Sequence, residues 1–170
     1  DGLSWATAHQ SLQAGLDHAI ASGGTFDQIW VAEGTYRPES AVSGGDPRTR
    51  TFLMHKGIDL YGGFAGTESS PSERKLGAHT TILSGDANGD DQPGFVNRAD
   101  NYYNVIRAFS DNLSFVLDGF TVSGGNADDS GQDSGGGAHL KAVGDVRIVN
   151  CTFTDNSARS AGGAVYIVPP

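Results

Sequence analysis

Three side chains that carry oxygen ligands at alternate positions form the clearest chemical pattern in this sequence. They are Asp86, Asn88 and Asp90, in a loop directly after the short apolar run at 81–83. Ca²⁺ prefers carboxylate and amide oxygens presented by a short loop, so this spacing predicts a calcium site. The loop lacks the glycine and the closing glutamate of an EF-hand. The alternative interpretation is a solvated acidic turn that binds no ion.

A second group of carboxylates lies in the segment 126–137. Asp128, Asp129 and Asp133 could supply the pair of carboxylates that a glycoside hydrolase needs. Their segment is rich in glycine and serine, which favours a flexible insertion over a rigid site. The five histidines and the single cysteine, Cys151, show neither the spacing of zinc ligands nor a nucleophile motif. The sequence therefore predicts no catalytic residue.

Charge and hydropathy exclude two classes of partner. The chain has 20 acidic and 11 basic residues and a net charge of −9, whereas a nucleic-acid-binding protein needs a basic face. No apolar run approaches the ~20 residues of a membrane-spanning helix. We therefore expect no nucleic-acid partner and no direct insertion into a membrane.

The elements that must position these residues follow from the periodicity of apolar side chains. A helical pattern runs from Trp5 to Ala21, with an apolar face formed by Leu12, Leu16, Ala19 and Ile20. The glycines that follow predict its end. Beyond them, short apolar runs bounded by glycine and small polar residues predict strands. These runs lie at 29–32, 58–61, 81–83, 105–109, 115–117, 120–122, 146–149, 152–154 and 164–168.

An internal repeat predicts how the strands are arranged. The segment 119–127 resembles 150–158 at an offset of 31 residues (158 − 127), and 136–140 resembles 162–166 at an offset of 26 (162 − 136). Repeats of strands and glycine turns at such periods are typical of solenoids. We therefore predict an all-β solenoid in residues 25–170, preceded by the helical segment 1–24.

Several motifs also resemble a known family. The opening at 1–8, the run 29–38 and the run 58–68 are similar to bacterial right-handed parallel β-helix proteins of the pectin-lyase-like fold. So are the segments 81–86 and 117–122. The resemblance implies a right-handed parallel β-helix with a short N-terminal capping α-helix, in which residues 1–24 form the capping segment and residues 25–170 the coils. It also implies an exported protein that is extracellular, periplasmic or on the cell surface. A solenoid without a recognisable catalytic constellation, whose last coil is exposed, favours a structural or adhesive module that binds a protein partner or a glycan without catalysis.

Two alternatives stay open. The first is a polysaccharide lyase or glycoside hydrolase that acts on an acidic polysaccharide. The resemblance implies a basic residue for the lyase reaction, and Arg107, Lys141 and Arg147 are the candidates, although none clusters in sequence with Asp118 or Asp145. The second is an accessory subunit of a larger exported complex.

The last predicted strand is the expected site of a partner. It contains Ala164, Val165, Tyr166, Ile167 and Val168 and no charged residue, so an exposed edge there would invite pairing with another chain. The two prolines that follow protect only its tip. We therefore expect further chain or a partner subunit to cover this strand.

Overall fold

The computed structural model describes residues 1–168, and the side chains of all of these except positions 111, 112, 142 and 143. Pro169 and Pro170, predicted to blunt the last strand, lie outside this range. Within it, short 3-10 helices occupy Trp5–Thr7, Pro47–Thr49 and Pro71–Glu73. The remaining elements, in chain order, are α1 Leu12–Ala21, β1 Gln28–Ala32, β2 Gly34–Tyr36, β3 Phe52–Leu53, β4 Asp59–Phe64, β5 Thr81–Ser84, β6 Ile106–Asp118, β7 Phe120–Ser123, β8 Asn126–Ala127, β9 Ala138–Val149, β10 Thr152–Thr154, β11 Ser157–Ala158 and β12 Val165–Val168.

The helix is shorter than its periodicity predicts. It begins at Leu12, because the side chain of Ser11 accepts a hydrogen bond from the backbone N–H of Ala14 and so caps the first turn. The residues before it form only a 3-10 turn. It ends at the predicted glycines, where Gly23 takes a φ of +66°.

The strands lie in three parallel sheets. The large sheet has the order β1-β4-β6-β9-β12, with β3 paired to β6 beside this path. A four-stranded sheet has the order β10-β7-β5-β2, and β8 pairs with β11 alone. The chain thus returns to each sheet in turn and adds the next strand in parallel. The predicted offset of 31 residues is confirmed between β8 and β11, where Ala158 pairs with Ala127.

The predicted fold class is wrong. An all-β right-handed parallel β-helix would form one continuous set of coils, whereas the described residues form an α/β-like arrangement of separate parallel sheets stacked together with helix α1. Two features interrupt a continuous coil. Strand β3 joins the large sheet beside the main path, and the register between β6 and β9 shifts on both sides of Leu113. Apolar runs bounded by glycine predict parallel strands, but they do not determine how evenly those strands stack.

The core lies between the sheets and is closed at one end by the helix. Alternate residues of the large sheet point inward, and Leu60, Leu117 and Ile148 stand in register across β4, β6 and β9. Helix α1 places Leu12 and Leu16 against this core, and Leu16 is completely buried. The other set of alternate residues points outward and forms the outer face of the large sheet.

Candidate functional site

The outer face of the large sheet carries a cluster of cationic and aromatic side chains, which we call the sheet-face patch. It consists of Arg107 and Phe109 on β6, His139 and Lys141 on β9, and Tyr166 on β12. Parallel pairing places Arg107, His139 and Tyr166 in one row, and Phe109 and Lys141 in the next. These residues face outward because their chain neighbours on β6 and β9 at the alternate positions are buried in the core.

The side chains of the patch hold one another by stacking. The guanidinium carbon of Arg107 lies 4.2 Å from the centre of the Phe109 ring. The ring of His139 meets Phe109 and Tyr166 edge-on, each with 5.2 Å between ring centres. Such contacts fix planar groups in one orientation. The patch therefore presents an ordered row of flat side chains across three strands.

The patch is positively charged on an acidic protein. Burial lowers the pKa of Arg107, which an arginine tolerates without losing its charge at neutral pH. Burial also lowers the pKa of His139, and the positive charges of Arg107 and Lys141 lower it further, against a smaller opposing effect of Asp133. His139 is therefore neutral at pH 7, and an anion bound nearby would favour its protonation.

The cations of the patch have no acidic partner among the described side chains. None of the described carboxylates lies within 4.0 Å of the charged nitrogens of Arg107 or Lys141. Two buried nitrogens, Nε of Arg107 and Nδ1 of His139, find no hydrogen-bond partner in the described part of the chain. An arrangement of this kind can bind a carboxylate and stack a flat ring against Phe109 or Tyr166.

The structure brings together two of the three predicted basic candidates, Arg107 and Lys141. Arg147 is exposed further along β9 and outside the patch. Asp118, a candidate to assist them, is engaged elsewhere: it accepts from Arg74 at 2.6 Å and from the amide of Asn150 at 2.8 Å. Sequence reasoning missed the aromatic members of the patch, although Arg107 and Phe109 two residues apart on one strand are a usable signal.

The predicted calcium loop forms an acidic cluster with one member that the sequence pattern did not include. Carboxylate oxygens of Asp86, Asp90 and Asp100 all lie within 4.8 Å of one another, so this trio could hold a metal ion. Asp86 is oriented by its own loop, since its Oδ1 accepts N–H bonds from Gly89 at 2.6 Å and from Asp90 at 3.2 Å. Asn88 contributes a backbone N–H to Asp100 at 3.0 Å.

Asp100 joins the trio because the loop after β5 folds back on itself. Phe95 and Asn97 both take a φ near +65°, which turns the chain toward its starting point. The neighbouring Asp91 has a raised pKa, chiefly through burial and with contributions from the charges of Asp86 and Asp100. The cluster therefore concentrates negative charge at one place.

The other predicted carboxylates are engaged in structural contacts. Asp128 forms an ion pair with Arg48 at 2.8 Å. Asp133 accepts hydrogen bonds from the hydroxyls of Ser134 and Ser160, which lower its pKa. Asp129 accepts the N–H of Gly131 in a turn at the exposed edge. These contacts tie the segment to its neighbours.

The last strand leaves one edge and part of its inner face uncovered within residues 1–168. Strand β12 pairs only with β9 among the described strands. Ile167 stands in register with the completely buried Leu140, yet it is 58% exposed because no described strand follows it. Val165 is half-buried and packs against the core. The exposed apolar side chain of the predicted partner site is therefore Ile167.

Cys151, His9, His18 and His79 make local contacts. Burial raises the pKa of the Cys151 thiol, which makes it a poor nucleophile. His79 contacts the carboxylate of Glu33 at 2.9 Å. His9 and His18 share a hydrogen bond of 2.8 Å between their ring nitrogens.

Comparison of the chain with protein-family models, with curated proteins and with solved structures gave no match. Among the described residues, no helix has both the length and the apolar character needed to cross a membrane.

Proposed function

We propose that this chain is a non-catalytic binding module that recognises an acidic glycan on its sheet-face patch. The observation that carries the proposal is the row of Arg107, His139 and Tyr166 across three parallel strands, flanked by Phe109 and Lys141. Cationic side chains would pair with the carboxylate of a uronic acid, and an aromatic ring would stack on the apolar face of the sugar. The strand spacing of about 4.8 Å places these three side chains in a straight row, along which a linear polymer could lie.

Binding fits this patch better than catalysis does. A lyase would need a base beside a cation, such as Ca²⁺ held by acidic side chains, that neutralises the uronate carboxylate, and a hydrolase would need two carboxylates at a fixed separation. Among the predicted carboxylates, Asp118 is held by Arg74 and Asn150, and Asp128 is held by Arg48. The enzyme alternatives therefore have less support than the binding role.

The proposal includes a location. Acidic polysaccharides lie outside the cytoplasm, so the chain would be exported and would act at the cell surface, in the periplasm or outside the cell. This agrees with the resemblance drawn from the sequence. A partner protein or further chain would cover β12, where Ile167 is exposed.

We also propose that the acidic cluster binds Ca²⁺. Its three carboxylates are hard oxygen ligands, and Asn88 lies in the same loop. The ion would stabilise the loop after β5, which runs on to the strands that carry the patch. This role is structural and separate from glycan binding.

Isothermal titration with a short oligogalacturonate tests the glycan proposal. We expect binding that weakens at high salt, since the attraction is partly electrostatic. Arg107→Gln should weaken it by about tenfold or more, as expected for a charged hydrogen bond.

The matched control is Arg147→Gln, which removes the same charge from an exposed site on the same sheet. It should leave the affinity nearly unchanged. A neutral oligosaccharide of equal length should bind much more weakly. Equal losses in the two arginine variants would mean that only net charge matters and would overturn the proposal.

A further inference from the structure

A cleft lies away from the sheet-face patch, between helix α1 and strand β1. Its volume is about 900 Å³, within the range of ligand-binding sites. One wall is the face of α1 that includes Ser11, Gly15 and His18. The opposite wall is the continuous run 25–32, which contains all of β1. We call this space the N-terminal cleft.

The strand wall of the cleft is the outer edge of the large sheet. Among the described strands β1 pairs only with β4, so its other edge carries no strand. The carbonyl of Asp27 accepts the N–H of Asp59 at 2.8 Å, and Ile29 stands opposite Leu60 in the same ladder. Because alternate residues of a parallel strand bond to the same neighbour, the backbone N–H and C=O of Gln28 and Trp30 point away from β4 and toward the cleft.

Aromatic side chains line the same cleft. Trp30 stacks on Phe64 with 5.0 Å between ring centres and nearly parallel planes. Trp5 lies across both rings and donates its indole N–H to the carbonyl of Glu68 at 2.9 Å. Phe64 is buried behind the two tryptophans, and Trp5 and Trp30 form an apolar surface beside the free edge of β1, suited to the side chains of an added strand.

The negative charge of the cleft favours an added strand that is positively charged. Asp27 is exposed on one wall, and Glu68 lies among the lining residues. Backbone hydrogen bonds to Glu68, that from Ala65 foremost, lower its pKa to about 2, so it is ionised at any physiological pH. No lysine or arginine is found among the described lining residues.

We infer that the N-terminal cleft binds an extended, positively charged peptide, which adds to β1 as an edge strand. The free N–H and C=O groups of Gln28 and Trp30 would bond to the peptide backbone. The tryptophans would contact its apolar side chains, and Asp27 and Glu68 would pair with its lysines or arginines. This second site is separate from the sheet-face patch and does not depend on the proposed glycan binding.

The chain supplies its own reporter for this test, because its two tryptophans, Trp5 and Trp30, both line the cleft. The probe is the peptide acetyl-Ser-Val-Lys-Val-Thr-Val-Lys-Ser-amide. We expect a saturable change in tryptophan fluorescence and slower amide hydrogen exchange at Gln28 and Trp30. The same peptide with N-methylated alternate amides should bind much more weakly, as should a version with glutamate in place of lysine.

Two pairs of variants localise the effect. Gln28→Pro removes the N–H that points into the cleft without removing a bond to β4. Gln28→Ala keeps that N–H and, like the proline variant, removes the side chain whose Oε1 accepts the indole N–H of Trp30 at 2.8 Å, so the pair isolates the backbone N–H. Proline should weaken binding about fivefold more than alanine does, the effect of one neutral hydrogen bond. Asp27→Asn should weaken binding about threefold at low salt, while Asp145→Asn, at an exposed position outside the cleft, should not.

Three results would each overturn the inference. The first is unchanged fluorescence at saturating peptide, and the second is equal binding of the N-methylated peptide. The third is binding without protection of either amide, which would place the peptide elsewhere than on the β1 edge. Circular dichroism of each variant shows whether it is folded, and the peptide controls on the native chain test the inference independently of any variant.

Discussion

Truncation of Leu16 tests whether helix α1 closes the core. The Leu16 side chain is completely buried and belongs to the same apolar cluster as residues of β1, β4 and β6. Leu16→Ala removes three carbons from this cluster and leaves a cavity that the surrounding strands can only partly fill. We expect a loss of about 3 kcal/mol in the free energy of unfolding, near the middle of the range for buried leucines. Urea titration measures this loss from the transition midpoint and slope.

Ile20 on the same helix is the matched control. It is 40% exposed, although the helical pattern assigned it to the apolar face together with Leu16. Ile20→Ala should therefore cost less than about 1 kcal/mol, because little apolar surface returns to water and no enclosed cavity forms. A loss below about 0.5 kcal/mol for Leu16→Ala, or equal losses for both variants, would show that the helix does not close the core.

The remaining predictions concern the acidic cluster, the patch and the last strand. Millimolar Ca²⁺ should raise the melting temperature of the native chain relative to EDTA, because the ion binds only the folded state, and Asp100→Asn should abolish this difference in a thermal-shift assay. Oligogalacturonate should bind more tightly as the pH falls below 6.5, the ordinary pKa of histidine, because the lowered pKa of His139 rises when a carboxylate binds beside it. His139→Gln should flatten this pH profile in calorimetric titrations, and an unchanged profile would contradict the placement of the ligand. Ile167→Lys should reduce concentration-dependent light scattering of the isolated chain, whereas equal scattering would show that the edge of β12 is not the contact.

Local structure was predictable where neighbouring residues determine it. Each predicted strand lies largely within an observed one. A short apolar run marks the buried part of a strand, and the glycines that flank it mark the turns at its ends. The helix was predicted with its correct end but not its start. Trp5 shows the reason: its apolar side chain fits a helical pattern, but in the structure it packs at a tilt against the rings of Trp30 and Phe64 and lies outside the helix.

The fold class and the sites depend on contacts between distant residues, which spacing does not reveal. The offset of 31 residues gave the pairing of β8 with β11, but nothing in it indicated that β3 would join β6 or that the register of β6 and β9 would shift. Asp100 lies far from Asp86 in sequence and joins it only because the loop folds back. The patch likewise arises from three strands that parallel pairing aligns.

The central claim is that an acidic glycan binds the sheet-face patch. The most direct measurement is a titration of the isotopically labelled chain with oligogalacturonate, followed by the side-chain NMR signals of His139, Tyr166 and Phe109. The account predicts that these signals shift together with one binding constant and that the bound ligand raises the pKa of the His139 ring, while the indole signals of Trp5 and Trp30 stay in place. Unmoved patch signals at saturation, or shifts confined to the tryptophans, would contradict it.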